Sequence, residues 1–164
     1  LSYNTDIFSN TSSLKLSSLG SNINGFHFMN PITIKFIEVC KKGDYNEELL
    51  ESVFFKLKEN FYEIIPVNDT PGYLVNKIVF RDVSYFFYLV EQEKFNIKNI
   101  KNIYKDNIGK NDPIRLINMI GIDTSLEILK NLNKYDKNFY VPNLLDDAVK
   151  NNILGYKNKR LFKI

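Results

Sequence analysis

The chain has 164 residues, of which 44% are hydrophobic and 25% charged, and its formal net charge is +3 at pH 7. This profile is typical of one ordinary globular domain or of two small layers sharing a core, and its scattered lysines argue against a nucleic-acid footprint. The longest apolar stretch, Val83 to Val90, is too short to span a bilayer, and a single cysteine, Cys40, excludes an internal disulfide and fits a reducing compartment.

The first part of the chain is predicted to contain strands around one helix. Asp6–Leu14 indicates a short strand that runs into a turn rich in Ser, Thr and Asn, and Ile34–Cys40 has the alternation and β-branching of a strand. Asp44 and Glu47 have the spacing of a capping box, and apolar residues follow them at helical spacing. Phe61–Val67 is predicted to be a further strand.

The rest of the chain is predicted to be helical. Asp69 or Thr70 is placed as an N-cap, with Pro71 at the first helical position. The apolar residues that follow, including Phe86 and Phe87, have the spacing of a long and mostly buried helix. Further helices are predicted over Asn96–Asn107, Pro113–Gly121, Asp123–Asn133 and Pro142–Asn152.

Three segments stand out in chain order: SNTSSL at Ser9–Leu14, HFMNPITIKFIEV at His27–Val39 and NDTPGYLVNKI at Asn68–Ile78. In this order they resemble the 3-hydroxyacyl-CoA dehydrogenase family. Two later segments, Asp112–Leu132 and Leu154–Phe162, resemble the family's helix pair and its closing segment. The resemblance covers nearly the whole chain, and the first three segments together form a specific signature.

The resemblance implies an α+β fold in two parts. Residues 1–67 would be the C-terminal remnant of a Rossmann-type α/β domain, and residues 68–164 an all-α helical domain. The family holds NAD with a Gly-x-Gly-x-x-Gly turn ahead of these segments, and this chain contains no such turn. NAD is therefore an expected cofactor only if the rest of a longer chain, or a separately encoded fragment, supplies the missing N-terminal half.

The resemblance also implies a reaction and a set of site residues. The reaction is the NAD-linked interconversion of a 3-hydroxyacyl-CoA and a 3-oxoacyl-CoA. His27 matches the family's general base, and Glu38 matches the carboxylate that pairs with it. Ser12 and Asn76 match residues that hydrogen-bond substrate oxygens, and Asn10 lies where the family approaches the nicotinamide ribose. No metal is implied.

Each of these residues also has a purely structural interpretation. His27, the only histidine, would then be a packed core imidazole, and Ser12 a helix cap. Glu38 would point to solvent from its strand. Asn76 is the exception, because asparagine lowers helix propensity and its position inside a predicted helix is unexpected for a structural residue.

The separation of His27 and Glu38 is one residue shorter than the family's usual spacing. A one-residue slip moves every side chain of a strand to the opposite face. The pair therefore requires a bulge or an adjusted connection near Thr33.

The expected partners follow from the same resemblance. They are an acyl-CoA substrate and a second copy of the chain, without nucleic acid or membrane. A homodimer through the helical domain is expected because the row Phe86, Phe87 and Val90 exceeds what one small bundle can bury. Leu1–Asn10 has no signal-peptide pattern, and the expected location is the bacterial cytoplasm or a mitochondrial matrix. The alternative is a non-catalytic remnant that acts as a dimerisation or structural module.

Overall fold

The computed structural model describes residues 6–29, 33–104 and 112–164. These residues form two compact units, one up to Asn76 and one from Lys77 to Ile164. The first contains a four-stranded sheet and the second is helical, which confirms the α+β prediction.

The sheet of the first unit has the strand order β1-β2-β3-β4. Its strands are β1 (Phe8–Ser9), β2 (Asn24–Phe28), β3 (Phe36–Cys40) and β4 (Glu63–Pro66). β2 and β3 are antiparallel, whereas β1 is parallel to β2 and β3 is parallel to β4. Helix α1 (Glu47–Glu59) joins β3 to β4, as a connection between parallel strands requires.

The cap of α1 differs from the predicted one. Asn46 is the N-cap, and its side-chain oxygen accepts a hydrogen bond from the backbone N–H of Leu49 at 3.0 Å. The predicted capping box of Asp44 and Glu47 is therefore wrong, because Asn46 has the extended backbone of a cap and Glu47 is already helical.

The two faces of the sheet carry different side chains. On one face Phe26 stacks on Phe54 of α1, with ring centroids 6.1 Å apart, and contacts Phe8 edge to face at 5.3 Å. His27 follows Phe26 directly, and neighbouring residues of a strand point to opposite faces. The other face of the sheet therefore carries His27 and its partner Glu38. The sheet therefore separates an aromatic layer under α1 from the layer that holds the polar pair.

The strand that carries His27 is not among the predicted strands. β2 contains Asn24 and Gly25, residue types that are depleted in strands. The short strand predicted within Asp6–Leu14 is Phe8–Ser9, and bends follow it before a short 3₁₀ helix at Leu16–Ser18.

Helix α2 (Val75–Glu91) begins later than the sequence predicts. Pro71 lies in a turn before the helix and not at its first position. Gly72 and Tyr73 have φ angles of 78° and 41°, a left-handed backbone that cannot belong to an α-helix.

The helices of the second unit agree with the prediction, and they are α3 (Ile97–Ile103), α4 (Pro113–Ile120), α5 (Ile122–Tyr135) and α6 (Asn143–Lys150). Asp112 caps α4 by accepting from the backbone N–H of Ile114 at 2.8 Å, with Pro113 in the first turn. Gly121, with a φ of 107°, separates α4 from α5. The predicted helix over Asn96–Asn107 is confirmed as α3, and its residues from 105 onward lie outside the described ones.

The apolar row of α2, Phe86, Phe87 and Val90, lies in the core of this second unit. Phe86 and Phe87 are fully buried, 5.3 Å apart edge to face, and Phe86 also contacts Tyr104. Val90 packs against the same core. The expectation that this row forms a surplus apolar surface is therefore wrong, because the unit's own helices cover it. The exposed large apolar side chains of the unit include Ile78, Tyr85, Met119, Tyr135 and Tyr156.

Candidate active site

His27 and Glu38 form a buried hydrogen-bonded pair in the first unit. Nδ1 of His27 lies 2.6 Å from Oε2 of Glu38, and the two residues are 8% and 0% exposed. They are direct partners in the antiparallel register of β2 and β3, so their side chains project from the same face of the sheet. The prediction that the two residues pair is confirmed, and the interpretation of Glu38 as a solvent-facing residue is wrong.

The short spacing of the pair is absorbed outside the strands. Four consecutive residue pairs of β2 and β3, from Gly25 with Cys40 to Phe28 with Ile37, are in one-to-one register, so no bulge separates His27 from Glu38. The shorter separation therefore falls in the connection from residue 29 to residue 35. Asn30 and Pro31 of the His-Phe-Met-Asn-Pro motif lie outside the described residues.

The second oxygen of the Glu38 carboxylate binds the beginning of α2. Oε1 accepts from the backbone N–H groups of Leu74 and Val75 at 2.8 and 2.9 Å. A buried carboxylate is tolerated when its oxygens are hydrogen-bonded, and a helix N-terminus favours negative charge. Glu38 is therefore fixed on both oxygens, one by His27 and one by α2.

This arrangement assigns the two nitrogens of the His27 imidazole. Nδ1 faces an acceptor, so the tautomer that forms this bond carries its proton on Nδ1. Nε2 then keeps its lone pair and can accept a proton. Chemically, the pair has the arrangement of a general base whose far nitrogen is held by a carboxylate.

The other predicted site residues lie in the same unit and make backbone hydrogen bonds. Oδ1 of Asn10 accepts from the backbone N–H of Phe28 at 2.9 Å, next to His27. Nδ2 of Asn76 donates to the backbone carbonyl oxygen of Ser12 at 3.4 Å. Asn76 is the second residue of α2, and so it does not interrupt a helix at mid-length. The N-cap of the 3₁₀ helix is Lys15, and the interpretation of Ser12 as a helix cap is therefore wrong.

Asp69 holds the segment that follows the Ser12 loop, a role that the sequence did not predict for it. Its two carboxylate oxygens accept from the backbone N–H groups of Leu16 and Ser17 at 2.7 and 3.1 Å. Asp69 therefore caps the 3₁₀ helix after the Ser12 loop, although the sequence predicts it as a cap of its own helix. A contact between residues 53 positions apart leaves no local signal in the sequence.

Tyr73 is the second residue that the sequence interpretation missed. It is 2% exposed, and its ring lies against the His27 imidazole with centroids 5.9 Å apart and an interplanar angle of 41°. Burial, together with the charges of Cys40, Asp69 and Glu38, raises the pKa of the Tyr73 hydroxyl well above its ordinary value. The phenol therefore stays protonated at neutral pH. Burial likewise raises the pKa of the Cys40 thiol, which is free and buried.

A separate groove lies on the opposite, aromatic face of the sheet. Its volume is about 540 Å³, and it lies between the strands and α1. Its lining residues are Asp6, Phe8, Phe26, Asn46, Leu49, Leu50 and Val53. None of the predicted site residues lines it, so the polar pair and this groove are distinct features.

The described residues contain neither a cluster of metal ligands nor a membrane-spanning helix. Residues 6–29, 33–104 and 112–164 contain no group of three His, Cys, Asp or Glu side chains arranged to hold a metal ion. Over the same residues, every helix is too short or too polar to cross a membrane.

Comparison with solved structures shows which known structures share this fold. The (S)-3-hydroxybutyryl-CoA dehydrogenase PaaH1 from Ralstonia eutropha matches with a TM-score of 0.79 and 24% sequence identity. The match covers 99% of this chain and 62% of that chain. At this level of identity the likeness shows a shared fold.

Comparison of sequences shows the family. The model of the 3-hydroxyacyl-CoA dehydrogenase C-terminal domain matches residues 72–163. A probable 3-hydroxybutyryl-CoA dehydrogenase of Bacillus subtilis (strain 168) is 30% identical, over 96% of this chain and 58% of that protein. The mitochondrial hydroxyacyl-coenzyme A dehydrogenase of Sus scrofa is 29% identical, over 78% of this chain and 43% of that protein. The chain belongs to the 3-hydroxyacyl-CoA dehydrogenase family and spans less than two thirds of these relatives.

Proposed function

We propose that this chain is the C-terminal portion of an NAD-dependent oxidoreductase that interconverts 3-hydroxyacyl-CoA and 3-oxoacyl-CoA. The observation that carries the proposal is the buried contact of 2.6 Å between Nδ1 of His27 and Oε2 of Glu38. Family membership supports the substrate class, because the Bacillus and pig relatives are named for dehydrogenation of 3-hydroxybutyryl-CoA and hydroxyacyl-CoA.

His27 is the proposed general base. Nε2 takes the proton of the C3 hydroxyl as that carbon is oxidised, and Glu38 stabilises the imidazolium that forms. Because Glu38 is already fixed by the amides of Leu74 and Val75, the carboxylate needs no rearrangement during the proton transfer. Ser12 and Asn76 are the proposed partners of the substrate oxygens, with Asn10 beside the nicotinamide ribose.

The residues present do not fit NAD by themselves. The sequence has no Gly-x-Gly-x-x-Gly turn whose backbone amides could hold a pyrophosphate at a helix N-terminus. When a dinucleotide-binding half is supplied, NAD provides the hydride acceptor, and the residues of this chain provide the proton acceptor and its orientation. We place the boundary between the two parts of the chain at residues 67 and 68.

The assembly and location remain part of the proposal. We propose a homodimer through the helical part and a location in the bacterial cytoplasm or a mitochondrial matrix. Among the curated relatives are the Bacillus protein and the mitochondrial pig protein. The exposed side chains of Ile78 and Tyr85, which are 60% and 58% exposed on α2, are part of the apolar surface available for such a contact.

A second candidate function is a non-catalytic module that acts only by folding or dimerising. The missing glycine turn favours this candidate for the chain in isolation. The intact His27–Glu38 pair favours the enzyme, because a remnant under no catalytic constraint has no need to bury an imidazole against a carboxylate.

The test is an assay of NADH oxidation with acetoacetyl-CoA. The 164-residue chain is assayed alone and joined to the segment that precedes the matched region in the Bacillus relative. The enzyme proposal expects turnover in the joined protein alone. A joined protein that is folded and binds NADH, but does not reduce acetoacetyl-CoA, would favour the non-catalytic module.

A further inference from the structure

Tyr73 lies at the junction of the turn and α2, immediately before the amide that binds Glu38. The backbone N–H of Leu74, the next residue, donates to Oε1 of Glu38 at 2.8 Å. The ring of Tyr73 lies against His27, with ring centroids 5.9 Å apart. One short turn therefore contacts both members of the buried pair, Glu38 through its backbone and His27 through a side chain.

The backbone of Tyr73 is held in an unfavourable conformation. Its φ of 41° is left-handed, a backbone conformation that is strained for a bulky residue. Such a conformation persists only where the surroundings impose it. The preceding residue, Gly72, also has a left-handed φ, 78°, which glycine adopts without strain.

The hydroxyl of Tyr73 makes no hydrogen bond to the described residues, although it is buried. It lies over Gly25, where an added Cβ would overlap the hydroxyl oxygen and lie 3.1 Å from Cβ of Cys40 and 3.2 Å from Cδ1 of Leu16. A buried hydroxyl without a partner is destabilising, so hydrogen bonding is not what retains Tyr73 here. The part of the side chain that lies against the His27 imidazole is the ring.

We propose that Tyr73 is a positioning residue whose ring holds the plane of the His27 imidazole so that Nδ1 stays on Glu38 and Nε2 stays available. The proposal rests on the proposed role of His27 as a base. The ring blocks rotation of the imidazole by its bulk. Gly25, Leu16 and Cys40 pack closely around the Tyr73 side chain and keep it in place. The titratable groups around this ring are His27, Glu38, Cys40 and Asp69.

The test uses the fact that His27 is the only histidine in the chain. The two ring-nitrogen signals of a ¹⁵N-labelled 164-residue chain therefore report one imidazole, and they show which nitrogen carries the proton. We expect a single Nδ1–H tautomer in the unmodified chain and in Tyr73→Phe, which keeps the ring. In Tyr73→Leu we expect averaged signals from a mixture of tautomers. Tyr85→Leu, a change at an exposed tyrosine of α2, is the control and leaves the signals unchanged.

A second pair of variants covers the case in which Tyr73→Leu does not fold. Gly25→Ala places a methyl group against the Tyr73 hydroxyl, so it displaces the ring without deleting it. We expect Gly25→Ala to give mixed tautomers and the double variant Gly25→Ala, Tyr73→Phe to recover part of the Nδ1–H population. A folded Tyr73→Leu chain with unchanged ring-nitrogen signals, or Gly25→Ala without effect on them, would overturn the proposal.

These outcomes are independent of the proposed enzyme activity, because no turnover is measured. An inactive joined protein with normal Tyr73-dependent signals would contradict the enzyme proposal alone. Active protein with Tyr73-independent signals would contradict the positioning role alone.

Discussion

Glu38 lies directly opposite His27 across β2 and β3, and its carboxylate joins that imidazole to the first amides of α2. One oxygen lies 2.6 Å from Nδ1 of His27, and the other accepts two backbone hydrogen bonds from Leu74 and Val75. A single buried side chain therefore supports both the proposed base and a helix N-terminus. The same residue is expected to matter for stability and for catalysis.

Glu38→Ala should destabilise the chain more than Glu38→Gln. The alanine leaves two partly buried amides and Nδ1 of His27 without an acceptor, a loss on the order of 3 kcal/mol in the free energy of unfolding. Glutamine keeps an acceptor oxygen for the amides and should cost about half as much. Urea unfolding followed by circular dichroism measures both, with exposed Glu48→Ala of α1 as the control. Equal stability of Glu38→Ala and the control would contradict the capping role.

Asp69→Ala should release the 3₁₀ helix that follows the Ser12 loop. The backbone N–H groups of Leu16 and Ser17 lose their acceptors, and capping residues contribute about 0.5–2 kcal/mol. We expect faster hydrogen exchange at these two amides, with Asp69→Asn showing a smaller increase. The exposed Asp147→Ala of α6 serves as the control. Unchanged exchange at both amides in Asp69→Ala would show that another group holds this segment.

Tyr104 should make the stability of the chain fall in strongly alkaline solution. Burial, and then the charges of Asp82 and Tyr85, raise its pKa from the ordinary 10.0 to about 12. Since the folded pKa lies above the unfolded one, the stabilisation is complete below pH 10 and is lost as the pH rises to about 12. The free energy of unfolding should fall across this range by about 2–3 kcal/mol more in the unmodified chain than in Tyr104→Phe. Identical pH dependence of the two proteins would contradict this contribution.

The helices of the second unit were predictable because their signals are local. Pro113 and Gly121 mark the ends of α4, and the predicted Asp123–Asn133 and Pro142–Asn152 agree with α5 and α6 to within two residues at each end. The spacing of apolar residues in the sequence shows which face of a helix is buried, but not which other element covers that face. The burial of Phe86 and Phe87 within their own unit was therefore not predictable from the row itself.

The identity of the site residues could be predicted better than their arrangement in space. The motifs named His27 and Glu38, and only the register of β2 with β3 shows that they meet despite the shortened spacing. The Asn and Gly that begin β2 resemble a turn, so the strand was missed. The contacts of Asp69 with Leu16 and of Tyr73 with His27 join distant segments, and no local pattern records them.

The isolated 164-residue chain should not bind NADH. It has no glycine-rich turn to bring backbone amides to a pyrophosphate. Isothermal titration calorimetry should show no heat of binding for the chain, whereas the protein joined to a dinucleotide-binding half should bind. Micromolar binding by the chain alone would mean that another part of it holds the cofactor.

The most direct test of the proposed function is the turnover of His27→Gln in the joined protein. If His27 is the general base, kcat should fall about 10²–10⁴-fold, with the loss mainly in kcat because the proton moves in the transition state. Glu38→Gln should act in the same direction but less strongly, since it leaves the base in place. Urea unfolding of each variant confirms that the measured protein is folded. A folded His27→Gln protein with nearly normal kcat would contradict the account, and a folded protein that has lost most of its kcat is the result it predicts.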